Sequence, residues 1–139
     1  MLRSIGAVAV GYLTYIVLSG IGGLALVMGF PEVVSQTPQD PGTGFLAAGL
    51  VLGILFAIVG GYITAVVAKT AEIRHALSLG GVIVLLGLVT MVFMQSPQPL
   101  WVQVLGFIFA VPSVYIGGVL RVRQNTRKAV VAQPSVEDI

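Results

Sequence analysis

Residues 45–69 read FLAAGLVLGILFAIVGGYITAVVAK, and this stretch decides the fold. Gly49, Gly53, Ala57, Gly61 and Ala65 recur at every fourth position, and Lys69 follows at the next step. In water, each glycine inside a helix costs about 1 kcal/mol relative to alanine. In lipid the backbone has no water to bond, so an apolar run of this length closes its own hydrogen bonds as a helix. Small residues four apart then let a second helix approach backbone to backbone. The stretch reads as a membrane-crossing helix made for close contact. A straight helix turns about 100° per residue, so the row from Gly49 to Ala65 drifts through roughly 160°. Gly49, Gly53 and Ala57 therefore face one neighbour, and Ala57, Gly61 and Ala65 another. Helix 1 is expected on one side, and helix 3, helix 4 or a partner on the other.

Working outward, four stretches lack any Asp, Glu, Lys or Arg: residues 5–29, 44–68, 76–94 and 100–120. A bilayer core about 30 Å thick takes roughly 20 helical residues to cross, and each stretch meets or nearly meets that length. Barrel strands would read as alternating segments of about 10 residues. Of the 139 residues, 57% are hydrophobic and 9% charged, whereas a soluble domain carries about 25% charged residues. The expected fold is an all-α integral membrane four-helix bundle. It forms a single transmembrane domain over 1–139, with 121–139 a basic and polar cytoplasmic tail.

Met1 to Ser4, with Arg3, opens the chain as a signal peptide would. The apolar run that follows is longer than the 7–15 residues of a signal peptide and has no small-residue cleavage site, so helix 1 is expected to be retained. Its own row of Ala7, Gly11, Tyr15, Ser19 and Gly23 makes it a partner for helix 2, with Gly11 and Gly23 as contact positions. Between helices 1 and 2, Pro31, Pro38 and Pro41 break the helix by removing backbone donors. Glu32 and Asp40 in that loop read as solvated. Pro97 and Pro99 mark the turn before helix 4, Trp101 sits where amphipathic rings favour the interface, and Pro112 is expected to kink helix 4.

All seven cationic residues, Arg3, Lys69, Arg74, Arg121, Arg123, Arg127 and Lys128, fall at the N-terminus, in the helix 2–3 turn or in the tail. The other two loops have none. The positive-inside rule then places both termini and the helix 2–3 turn in the cytoplasm. Arg121, Arg123, Arg127 and Lys128 are also candidates for anionic lipid headgroups. A net charge of +2 is too small for a nucleic-acid footprint, so no nucleic acid is expected as partner. Each helix carries a Gly-Gly pair, and Gly60-Gly61-Tyr62 beside Tyr115-Ile116-Gly117-Gly118 hints at two related hairpins.

The chemistry is sparse. There is no cysteine, hence no disulfide or thiolate site. No ionisable Asp, Glu, Lys or Arg lies within the four stretches, although such residues mark ion paths and proton relays. Ser19, Ser78, Ser113, Thr14, Thr64 and Thr90 have no carboxylate or histidine at their depth to activate them. No catalytic residue, metal site or cofactor is expected. Tyr12, Thr14, Tyr15, Thr64, Thr90, Gln103 and Tyr115 form the one candidate polar seam.

Gly60-Gly61-Tyr62-Ile63-Thr64-Ala65, then Ala68-Lys69, His75-Ala76-Leu77 and Leu79-Gly80, resembles a hairpin pattern of uncharacterised short bacterial four-helix membrane proteins. The resemblance implies a bacterial inner-membrane location and transfers no site. Small fluoride-channel proteins have a similar length and helix count but a weak charge bias, unlike this chain.

The sequence thus predicts a non-catalytic membrane protein acting through helix packing, as an accessory or assembly subunit of a larger complex. Its partners would be membrane lipids and other membrane subunits, or further copies of itself. A second expectation is a homo-oligomeric channel or facilitator for a small neutral or weakly polar solute, with Tyr15, Thr64 and Gln103 near a shared pore. A third is a cofactor-holding subunit in which His75 would be the ligand.

Overall fold

The computed structural model of the chain describes residues 2–30, 42–69, 71–93 and 99–132. They form four helices: α1 (Leu2–Gly29), α2 (Thr43–Ala68), α3 (Glu72–Phe93) and α4 (Leu100–Ala132). No strand occurs among the described residues. All four helices are long and apolar enough to cross a membrane, and together they make a multi-pass membrane bundle. Glu32 and Asp40, and residues 94–98 with most of the expected turn at 95–99, lie outside the described residues.

Successive helices run antiparallel, so the bundle has a loop end, where α1 meets α2 and α3 meets α4, and a basic end. Helix α2 is the hub. It contacts every other helix, most extensively α4 and α1, while α3 rests on α4 and α2 and only lightly on α1. Around the bundle the order is α1, α2, α4, α3.

The core lies towards the basic end. Leu79 and Val114 are fully buried beside Ala57, Ala76, Ile83 and Ala110, with Tyr12 and Tyr15 packed against this cluster. Where the helices cross beside this cluster the residues are glycines, and the backbones are close. A Cβ at Gly61 would overlap the Val114 carbonyl, and one at Gly117 would overlap the Ile58 carbonyl and come within 2.7 Å of the Tyr62 nitrogen. Across α1 and α2, a Cβ on Gly11 would strike the Thr64 hydroxyl, and one on Gly60 would lie 3.3 Å from the Gly11 carbonyl. Such contacts hold helices together in lipid, where apolar surface alone gives no drive to associate.

Several hydroxyls inside the helices are satisfied locally, whereas Ser19 Oγ is buried without a partner. Thr14 donates to the Val10 carbonyl (2.9 Å), Thr64 to Gly60 (2.9 Å), Ser78 to Arg74 (2.9 Å) and Thr90 to Leu86 (2.8 Å). Ser113 donates to Phe109 at 2.6 Å, next to Pro112, which cannot donate to the carbonyl four residues back. Helix α4 nonetheless runs through Pro112 without a break.

At the basic end α2 stops at Lys69, whose N–H donates to the Ala65 carbonyl (3.4 Å) with a left-handed φ of 59°. Ala71 is left-handed as well, at φ 48°. Its carbonyl accepts from the backbone N–H of Arg74 (3.0 Å) and of His75 (3.3 Å), and His75 Nδ1 lies 3.0 Å away. Two left-handed residues thus reverse the chain in one tight turn.

Helix α4 extends twelve residues past the expected end at 120. Residues 121–132 contain no glycine or proline, and Pro134 disfavours helix at the residue before it. The extension is tied back to the bundle: Tyr62 Oη donates to Gln124 Oε1 (2.7 Å), and Asn125 Nδ2 donates to Glu72 Oε1 (2.8 Å). The first part of the expected tail is therefore a continuation of the bundle.

Candidate ligand cavity

The half towards the loop end is built differently. There the four helices enclose a partly open cavity of about 500 Å³. Its walls come from Gly23 and Leu26 of α1, residues 45–57 of α2, 83–91 of α3 and 102–110 of α4. Ala57, Ile83 and Ala110 belong both to its lining and to the core cluster, so the close-packed half forms its floor. Tyr12 and Tyr15 stand at that floor, ring centroids 6.5 Å apart in a stacked arrangement.

Glycine makes the space. Gly53 and Gly106 line the cavity, and a Cβ at either would meet nothing within 4 Å. A Cβ on Gly49 would lie an ordinary 3.7 Å from the Leu26 side chain, and one on Gly87 would come within 2.5 Å of the Phe107 ring. The same residue type that closes one half of the bundle leaves room in the other.

The seam residues divide. Tyr12, Tyr15, Thr90 and Gln103 come together on the cavity lining. Thr64 is buried in the α1–α2 contact and bonded back to Gly60. Tyr115 is exposed at 44% and faces away from the core, and Thr14 bonds to its own helix. Gln103 and Thr90 lie near the loop end and the tyrosines near mid-bundle, so the polar groups bracket an apolar middle. No charged residue lines the cavity.

The small-residue row divides in the same way. Gly61 and Gly11 are tight contacts, Ala57 and Ala65 are buried, and Gly49 touches α1 loosely. Gly53 and Gly23 line the cavity and touch no neighbour within 4 Å of an added Cβ. Gly60 and Gly118 are close contacts that stand outside the row. A Cβ on Gly118 would lie 2.9 Å from Ala76 Cβ.

The four tail cations do not share a face. At 100° per residue, Arg121 and Lys128 fall on the side of Gln124 and Asn125, which bond to the bundle. Arg123 and Arg127 fall on the opposite side. Arg123, Arg127 and Lys128 are exposed.

Comparison of the chain with protein-family models, with curated proteins and with solved structures gives no match.

Proposed function

We propose that the chain is a non-catalytic membrane protein that holds one small, uncharged and mainly apolar molecule in the loop-half cavity. The observation that carries this reading is the convergence of Tyr12, Tyr15, Thr90 and Gln103, from three helices, on one otherwise apolar space. Its volume of about 500 Å³ falls in the ordinary range for ligand pockets, as does an apolar lining with a few polar groups. The floor is closed by backbone contact, which favours a binding site over a straight-through pore. Organic extraction of the protein purified in bilayer discs tests this. One neutral molecule per chain is expected, absent from Gly53→Phe, which fills the cavity. No retained molecule, with the variant indistinguishable, would end the proposal.

A second reading, an accessory or assembly subunit, is favoured by a separate observation. Gly6, Gly20 and Gly81 meet nothing within 4 Å inside the chain, leaving approach surfaces for helices of another subunit or a second copy. Mild-detergent purification of the tagged native protein would show a co-purifying partner or a homo-oligomer, and a lone monomer would count against it.

The proposed setting is the bacterial cytoplasmic membrane with both termini inside. Because there is no native cysteine, a single Gln124→Cys variant would take an impermeant maleimide only from the cytoplasmic face. Labelling from outside intact cells would reverse the orientation.

A further inference from the structure

The cavity is partly open, and its lining shows on which side. Four helices contribute to it, but its exposed residues sit on only two of them. Gly23 of α1 and Leu86 and Thr90 of α3 are exposed, Leu86 by 38%. Every residue that α2 and α4 contribute to the lining is buried or half-buried.

Helix packing points to the same side independently. Helices α1 and α3 are neighbours around the bundle, yet theirs is the slightest contact of any adjacent pair. The glycines of α1 that touch a neighbour, Gly11 and Gly22, touch α2, and those of α3, Gly80 and Gly87, touch α4. Near the floor the seam between α1 and α3 is filled, since Tyr12 and Tyr15 pack against the cluster that holds Leu79 and Ile83. Tyr15 and Leu79 share a level, because each lies 3.5 Å from an added Cβ on Gly60. About 12 Å further along each helix come Gly23 and Gly87. There a Cβ on Gly23 would meet nothing within 4 Å, and Leu86 and Thr90 stand exposed on the other side of the seam.

This opening faces hydrocarbon. Residues 5–29 and 76–94 are uncharged runs that cross a bilayer core about 30 Å thick, and Gly23 and Leu86 lie well inside them. Next to these two in the chain, Leu24 of α1 and Leu85 of α3 are exposed and apolar, as are Val27 and Val89 one turn on. A charged solute is poorly suited to such a route, since a charge in the bilayer core is costly.

We infer that the cavity is filled sideways, from the hydrocarbon, through the seam between α1 and α3. Its occupants then come from the class of molecules dissolved in the membrane core. This rests on the ligand-binding reading above and adds the ligand's route and class.

Thiol labelling of the full chain in phosphatidylcholine discs tests the route, because the chain has no cysteine of its own. Gly53→Cys puts a thiol on the α2 wall, where an added Cβ has open space. Two reagents carry the same reactive group. Benzyl methanethiosulfonate is neutral and dissolves in the bilayer, whereas trimethylammonioethyl methanethiosulfonate is charged and stays in water. The neutral reagent should label at least ~tenfold faster. Adding Gly23→Trp plugs the seam from α1 and should slow that labelling about tenfold. Adding Leu86→Ala widens it from α3 and should speed labelling about threefold. Val51→Trp, on an exposed face of α2, should leave the rate unchanged. If Gly23→Trp does not melt as its parent does, Leu86→Ala decides alone. Equal labelling by the two reagents means that the cavity opens to water, and rates indifferent to both seam variants mean another entrance. Either result, or labelling by neither reagent, overturns the inference, while a molecule extracted from the native chain would leave the ligand-binding reading standing. Labelling that obeys the seam, with no molecule extracted, supports the opening and ends the ligand-binding reading.

Discussion

The basic half and the loop half of this bundle use the same small residues to opposite ends. In the basic half, Gly11, Gly60, Gly61 and Gly117 bring three helices to backbone contact. In the loop half, Gly53 and Gly106 face open space, and the four helices enclose a cavity of about 500 Å³. A glycine in a membrane helix is thus not by itself a contact. Its meaning depends on whether another backbone arrives at its azimuth. A bundle held by backbone contact at one end can keep a space at the other, where side chains such as Phe56 and Phe107 rather than backbones meet the glycines Gly22 and Gly87.

The comparison breaks first at Gly61. A leucine there must displace the Val114 carbonyl, so Gly61→Leu should cost upwards of about 3 kcal/mol or prevent assembly. Val59→Leu, at a site 40% exposed, should stay within about 0.5 kcal/mol. Denaturant melts in the same bilayer discs compare the two. Equal melting would mean that Gly61 organises nothing. Next comes Gly117→Ala, whose single methyl meets the Ile58 carbonyl and the Tyr62 nitrogen. It should cost about 1–3 kcal/mol, read from the same melts. Asn125→Leu sharpens the boundary of the tight half, because it removes the bond to Glu72 and should cost about 1 kcal/mol. Amide exchange should then rise over 121–132; exchange unchanged there would detach the α4 extension from the bundle. The smallest effect is at the turn. Ala71 has φ 48°, where glycine is at ease, so Ala71→Gly should stabilise the chain by about 0.5–1 kcal/mol. A loss of melting temperature would show that the turn does not need that conformation.

The helices and their number are legible in the sequence, because run length and absence of charge are read directly against bilayer thickness. Their azimuth is not. The row Gly49, Gly53, Ala57, Gly61, Ala65 has the right depth and spacing, but its drift carries Gly53 to the cavity and Gly61 to α4. Gly60, outside the row, meets α1 because that helix approaches at its own angle. The polar seam shows the same limit. Tyr12, Tyr15, Thr90 and Gln103 share a cavity, while Thr64 and Tyr115 have much the same polarity and lie elsewhere. Nothing local in one helix says which neighbour it will meet. The extension of α4 was readable from the absence of glycine and proline over 121–132, but the charge pattern drew the boundary at Leu120 instead.

The contrast between the halves reduces to one paired measurement, the melting of Gly61→Ala beside Gly53→Ala in the same bilayer discs. Each adds one methyl to α2, two helical turns apart. The account predicts that Gly61→Ala loses about 1–3 kcal/mol, from overlap with the Val114 carbonyl. Gly53→Ala should be neutral or gain up to about 1 kcal/mol, since alanine is the better helix former and has room. Equal losses at the two positions would contradict it, because the loop half would then be as closely packed as the basic half.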